Sequence, residues 1–153
     1  MAVVDAYKTH FRNTRESGAL REVLYDGIPE VLQALHDADW SLAVATGKSD
    51  RGLQATLASN TLTHLFTSLQ TADRHPSKPH PAMLEAALFE CGAAPADAVM
   101  IGDTSFDIEM AKAAGVRPIG VAWGYHEPEE LVRAGAVAVA ETPAQLTEML
   151  LDR

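Results

Sequence analysis

Three short runs carry residues able to do chemistry, and each follows an apolar stretch. "VATGKS" sets Thr46, Gly47, Lys48 and Ser49 in a row, "PSKPHP" isolates Lys78 among prolines, and "IGDTSFDIE" holds Asp103 and Asp107 four residues apart. Gly-Lys-Ser looks like the end of a nucleotide-binding P-loop, but that loop needs a glycine where this chain has Leu42. The P-loop reading fails. A hydroxyl and a glycine N–H remain, Thr46 and Gly47, placed to donate to a phosphoryl oxygen at a strand end. The plainer alternative is a Thr-Gly turn with no ligand.

Asp103 falls where an apolar run ends and Asp107 lies one helical turn further on, so both carboxylates can face one point. Two such oxygen donors suit a hard cation such as Mg²⁺, which keeps several waters and takes its other ligands from carboxylates and a phosphate. The competing reading makes Asp103 a helix cap and Asp107 a favourable first-turn acid. Lys78 sits in a loop whose prolines keep the backbone extended. There it can neutralise a phosphate oxygen or a carboxylate, or simply face solvent. His75 and His80 flank it without an acidic or third nitrogen partner, and no metal role is assigned to them.

The elements that must position these groups follow from hydrophobic periodicity. "SLAVAT" is a short continuous apolar run, the pattern of a strand buried on both faces. After it come a helix around 51–58, a strand around 66–70, the proline-rich loop, and a helix 82–91 stopped by Gly92. Strand "AVMIG", helix 106–114 stopped by Gly115, strand "PIGVAW", a helix around 128–134, strand "AVAVA" and a last helix near 143–151 complete the chain. Ahead of these, Pro29 starts a helix with Ile28, Val31, Leu32 and Leu35 on one face, which Asp26 can cap. The first fifteen residues, with Val3, Val4, Tyr7, His10 and Phe11 at helical spacing, predict an amphipathic helix, then a linker. Alternating strands and helices imply an α/β fold, a Rossmann-like parallel sheet with helices on both faces in three layers, and ligands at the carboxyl ends of the strands.

The chain has 153 residues, enough for one core, and a net charge of −9. That charge argues against nucleic acid or an anionic membrane as partner, while leaving room for a small anion in a focused cleft. One cysteine, Cys91, permits no internal disulfide. No signal sequence or membrane span is evident, and a cytoplasmic protein is expected.

Taken in order, "VATGK", "SKPHP" and "IGDTSFDIEMAKAAG" resemble the haloacid dehalogenase superfamily, in particular its phosphoglycolate phosphatase-like branch. The resemblance runs from about Tyr25 to the end of the chain. It implies that Thr46 and Gly47 contact the phosphoryl group, that Lys78 steadies the nucleophile and phosphoryl oxygens, and that Asp103 and Asp107 hold Mg²⁺ directly or through water. "GVAWGYH" also looks like that branch, with no chemical role assigned. The implied reaction is phosphoryl transfer from a small phosphorylated metabolite to an aspartate, then hydrolysis of the aspartyl phosphate.

The family's nucleophile stands at the end of a first, central strand, followed by Asp-x-Asp-x-Thr, and no such run occurs here. Asp5 in "AVVDAYKTH" is the one candidate, but the apolar run before it is short and its neighbours are helically spaced. Residues 1–20 therefore read as a helical remnant of a cap and 21–153 as a phosphatase-like core lacking its first strand. Such a chain is expected to be inactive, or to serve as a non-catalytic Mg²⁺- and phosphate-binding or partner-binding protein. A missing strand between those ending at Thr46 and Gly102 would leave two edges unpaired, inviting another segment, an oligomer or a partner strand to fill the gap. A start codon assigned too far downstream would account for the gap; the frame upstream of Met1 would then encode an apolar strand with Asp-x-Asp.

Overall fold

The structure, a computed structural model, describes residues 2–6, 11–16, 19–24, 27–47, 49–59, 63–123 and 127–151. Among these described residues, eight strands and six α-helices follow one another. The order is β1 (Ala2–Ala6), β2 (Phe11–Glu16), β3 (Ala19–Leu24), α1 (Ile28–Asp37), β4 (Ser41–Thr46), α2 (Asp50–Ser59), β5 (Phe66–Thr71), α3 (Ala82–Cys91), β6 (Ala98–Gly102), α4 (Ser105–Ala114), β7 (Arg117–Val121), α5 (Pro128–Ala134), β8 (Ala138–Ala140) and α6 (Pro143–Leu151). Six strands form one parallel sheet in the order β5-β4-β1-β6-β7-β8, and β2 and β3 pair antiparallel on their own.

From Ser41 onward every expected element is present. The reason is visible in how the strands divide their side chains. Leu42 and Val44 of β4, with Val99 and Ile101 of β6, join α1, α2 and α6 in one core layer. Their chain neighbours Ala43 and Ala45, and Ala98 and Met100, turn to the other face and join Met83, Leu84 and Leu88 of α3 and Met110 of α4. A strand that must satisfy two apolar layers reads as an unbroken hydrophobic run. Helix α1 buries Ile28, Val31, Leu32 and Leu35 as their spacing predicts, but it starts from Gly27, which has a φ of 89° and no side-chain cap bond. The proposed cap Asp26 lies outside the described residues.

The amino-terminal expectation is overturned. Ala2–Ala6 is a strand, not the start of a helix, and 11–16 and 19–24 form a hairpin where a helix and linker were expected. The boundary at residue 20 falls inside β3, so 1–20 is no helical unit. β1 occupies the slot predicted to be empty, pairing with β4 on one side and β6 on the other. Helical spacing alone is weak support for so short a segment, because an isolated helix of under about 15 residues is marginal without packing. Two flanking strands, by contrast, offer Val3 and Val4 backbone partners on both sides and favour β-branched residues. The inner edges that would have invited a partner strand are thus closed, and the sheet ends instead at β5 and β8.

Candidate functional site

β4 and β6 flank β1, so their carboxyl ends stand two strand spacings apart, roughly 10 Å. Thr46 ends β4 and is 3% exposed; Asp103 follows β6 and is 2% exposed. Thr46 and Asp103 thus stand on either side of the end of β1, and Gly47 has open space where a side chain would be. Lys48 lies outside the described residues. Ser49, the last residue of the apparent P-loop, serves the backbone instead: its Oγ accepts from Gly52 N–H at 3.1 Å, capping α2.

Asp107 is 1% exposed, and its two oxygens do different work. Oδ2 accepts from the backbone N–H of Thr104 at 3.2 Å and from its Oγ1 at 3.0 Å. The N–H of Asp107 returns a bond to Thr104 Oγ1 at 3.3 Å, which makes a reciprocal capping box at the start of α4. Oδ1 accepts from Lys78 Nζ at 2.7 Å, an ion pair whose lysine side chain is 17% exposed. Of the two readings of Asp103, capping is assigned to Thr104 instead, and Asp107 is both first-turn acid and anchor for the lysine. The Thr104-x-x-Asp107 spacing is the local sequence signal of this cap. Thr104→Ala removes the hydroxyl and is expected to cost about 1–2 kcal/mol in urea unfolding, with Thr104→Ser retaining most of it.

Gly102 makes this packing possible. A Cβ there would lie 2.3 Å from Asp107 Cβ and 2.8 Å from its Cγ, so the helix start can settle this close to the strand end only over a glycine. Lys78 is delivered from a loop tied down just before it. Arg74 Nη2 donates to Leu69 O, and His75 Nε2 meets Gln70 Oε1 at 2.7 Å, with Gln70 Nε2 donating to Ser68 Oγ at 2.9 Å. His75 thus serves the loop's anchorage, and His80 Nδ1 accepts from Ala82 N–H at the start of α3. Cys91 closes α3, half-buried; burial first, then the neighbouring Glu90 carboxylate, pushes its thiol pKa up, which suits packing rather than nucleophilic work. Trp123 packs against the core, and the rest of "WGYH" lies outside the described residues. A cleft of about 360 Å³ lies beside α2 and β5, lined by Asp50, Gln54, Thr67 and Arg74 among others and by none of Thr46, Lys78, Asp103 or Asp107.

Asp103 and Asp107 are two buried carboxylates at one strand end, oxygen donors of the kind that could hold a hard cation. Among the described residues no group of three or more His, Cys, Asp and Glu could hold a metal. A hard cation such as Mg²⁺ keeps several waters and takes further ligands from a bound phosphate, so two protein carboxylates could be its share. A carboxylate offers about four acceptor sites, and the described residues fill two on Oδ2 and one on Oδ1, so one remains on the lysine side.

The fold is a doubly covered parallel sheet with buried acids at its strand ends, and residues 2–121 match the family described as haloacid dehalogenase-like hydrolase. The chain belongs to that family. It is 38% identical over 122 residues to the probable phosphatase IndB of Dickeya dadantii (strain 3937), covering 78% of this chain and 53% of that protein. It is 33% identical over 128 residues to a phosphoglycolate phosphatase of Haemophilus influenzae (strain 86-028NP), covering 83% of this chain and 57% of that one. A solved haloacid dehalogenase family hydrolase of Deinococcus radiodurans R1, with bound phosphate and sodium, superposes with a TM-score of 0.79 at 25% identity, over 86% of this chain and 60% of that one. The chain thus spans little more than half the length of the two curated relatives.

Proposed function

We propose that the cluster at the ends of β4 and β6 is the Mg²⁺- and phosphate-binding part of a phosphatase site for small phosphate monoesters of the phosphoglycolate type, inactive as it stands for want of a nucleophile in reach. The observation that carries this is the buried Asp107–Lys78 pair beside Asp103, facing Thr46 across the end of β1. In this reading Thr46 Oγ–H and Gly47 N–H donate to phosphoryl oxygens, and Lys78 adds a fixed positive charge to them. Asp103 and the free acceptor site of Asp107 would hold Mg²⁺, which supplies electrostatic stabilisation of the phosphoryl group when bound. Resemblance to the phosphatase relatives supports the substrate class.

Turnover needs a carboxylate nucleophile over the end of β1, and Asp5 is the only acid in that strand. Its register partners are Val44 and Ile101, two residues before Thr46 and Asp103. At the rise of a parallel strand that leaves it about 6–7 Å short of their level. This favours a second reading as well, a fold that binds Mg²⁺ and phosphate with little or no hydrolysis. The test is Mg²⁺-dependent phosphate release from an aryl phosphate, with inorganic phosphate binding measured in parallel. The chain is expected to bind phosphate, to release it from the ester at near-background rate, and to be unaffected by Asp5→Asn. Robust turnover abolished by Asp5→Asn would make Asp5 the nucleophile and end the inactive reading; failure to bind phosphate with Mg²⁺ would remove the site assignment itself.

A further inference from the structure

We infer that Asp73 is a positioning residue that locks the Thr46–Gly47 loop and the Lys78 loop into one unit; this rests on the phosphate-site reading above. Three hydrogen bonds close a ring among residues from two segments. Asp50 N–H donates to Asp73 Oδ2 at 2.8 Å, Asp73 N–H donates to Thr71 Oγ1 at 3.3 Å, and Thr71 Oγ1 donates to Asp50 Oδ1 at 2.8 Å. Each member both gives and receives, so the three bonds reinforce one another.

The ring sits where it can couple both sides of the site. Thr71 is fully buried and is the register partner of Thr46 on the neighbouring strand. Asp50 opens α2, only four residues after Thr46, so fixing its N–H fixes the far end of the short loop that carries Gly47. The Asp73 carboxylate also meets the positive end of that helix, where an acid is favoured. On the other side Asp73 begins the loop that delivers Lys78 to Asp107, and Arg74 braces it by pairing with Asp50 Oδ1 at 3.2 Å. An exposed acid that is not itself among the proposed phosphate contacts thereby sets the distance between the two groups meant to grip one phosphate.

The full chain tests this with Mg²⁺ and inorganic phosphate as the probe, read by calorimetric titration, together with amide hydrogen exchange at Asp50 and Gly47. Asp73→Ala is expected to weaken phosphate binding about tenfold and to speed exchange at both amides. Asp73→Asn keeps an oxygen acceptor and is expected to restore both, which separates positioning from the loss of a surface charge. Undiminished phosphate affinity in Asp73→Ala overturns the inference, as does faster exchange at Asp50 with Gly47 unchanged. If the unsubstituted chain binds no phosphate, the functional reading falls, and exchange at Gly47 still decides the clamp: faster in Asp73→Ala upholds it, unchanged overturns it.

Discussion

Lys78→Met is expected to cost the fold about 3 kcal/mol and to lower the thermal midpoint by roughly 6–12 °C. The substitution keeps most of the apolar stem and removes the ammonium group, with its charge and its donors. It leaves the Asp107 carboxylate buried at 1% exposure with its Oδ1 deprived of a donor and Asp103 nearby. Breaking a buried pair from one side costs about 3–5 kcal/mol, and the low end applies because 17% of the lysine side chain already reaches water. Asp107→Asn removes the orphaned charge and retains an oxygen for Thr104, so the double variant is expected to be more stable than Lys78→Met alone. A double-mutant cycle by chemical denaturation should return a coupling of about 2 kcal/mol between the two positions. A coupling near zero would mean that solvent, not Asp107, holds the lysine.

How much of this site could be read from residue order depends on the range of the interactions involved. Strands β4 and β6 were legible because burial on both faces leaves a continuous apolar run, and the residues ending them were therefore located before any contact was known. Thr104 and Asp107 were legible as a local cap, since a capping box spans a single turn. The partnership of Lys78 with Asp107 bridges 29 positions, and the Asp50–Thr71–Asp73 ring brings together residues 21 and 23 apart. Residue type marked Lys78 and Asp107 as able to act, but nothing local names their partner. The amino terminus misled for a related reason. Val3, Val4 and Tyr7 fit a helical period over too few residues to fix the outcome, and the deciding factor was the two strand edges of β4 and β6, contributed by segments some forty and one hundred residues away. Local pattern proposes an element, and where the pattern is short, the pairing it meets in the sheet selects the result.

Gly102→Ala is the smallest substitution expected to damage both the fold and the site. The glycine closes β6, pairs in register with Gly120, and has an ordinary extended backbone, so the demand on it is spatial rather than conformational. A methyl group would sit 2.3 Å from Asp107 Cβ and 2.8 Å from its Cγ and Oδ2, all three closer than contact allows. Neither side can yield cheaply. Strand β6 is held between β1 and β7, and Asp107 is fixed by its capping box and by Lys78. Overpacking at a buried position costs about 1–3 kcal/mol, and the upper end is expected because relief requires α4 to move off the strand end. That movement would pull Asp107 away from Lys78, so Mg²⁺-dependent phosphate binding is expected to fall even at temperatures where the variant remains folded. Crossing it with Asp107→Ala, which removes Cγ and Oδ2 but leaves Cβ, should recover part of the stability and none of the binding. A Gly102→Ala protein as stable as the unsubstituted chain, with intact phosphate affinity, would show that the start of α4 can give way, and that the close approach of strand and helix is not what holds the acid in place.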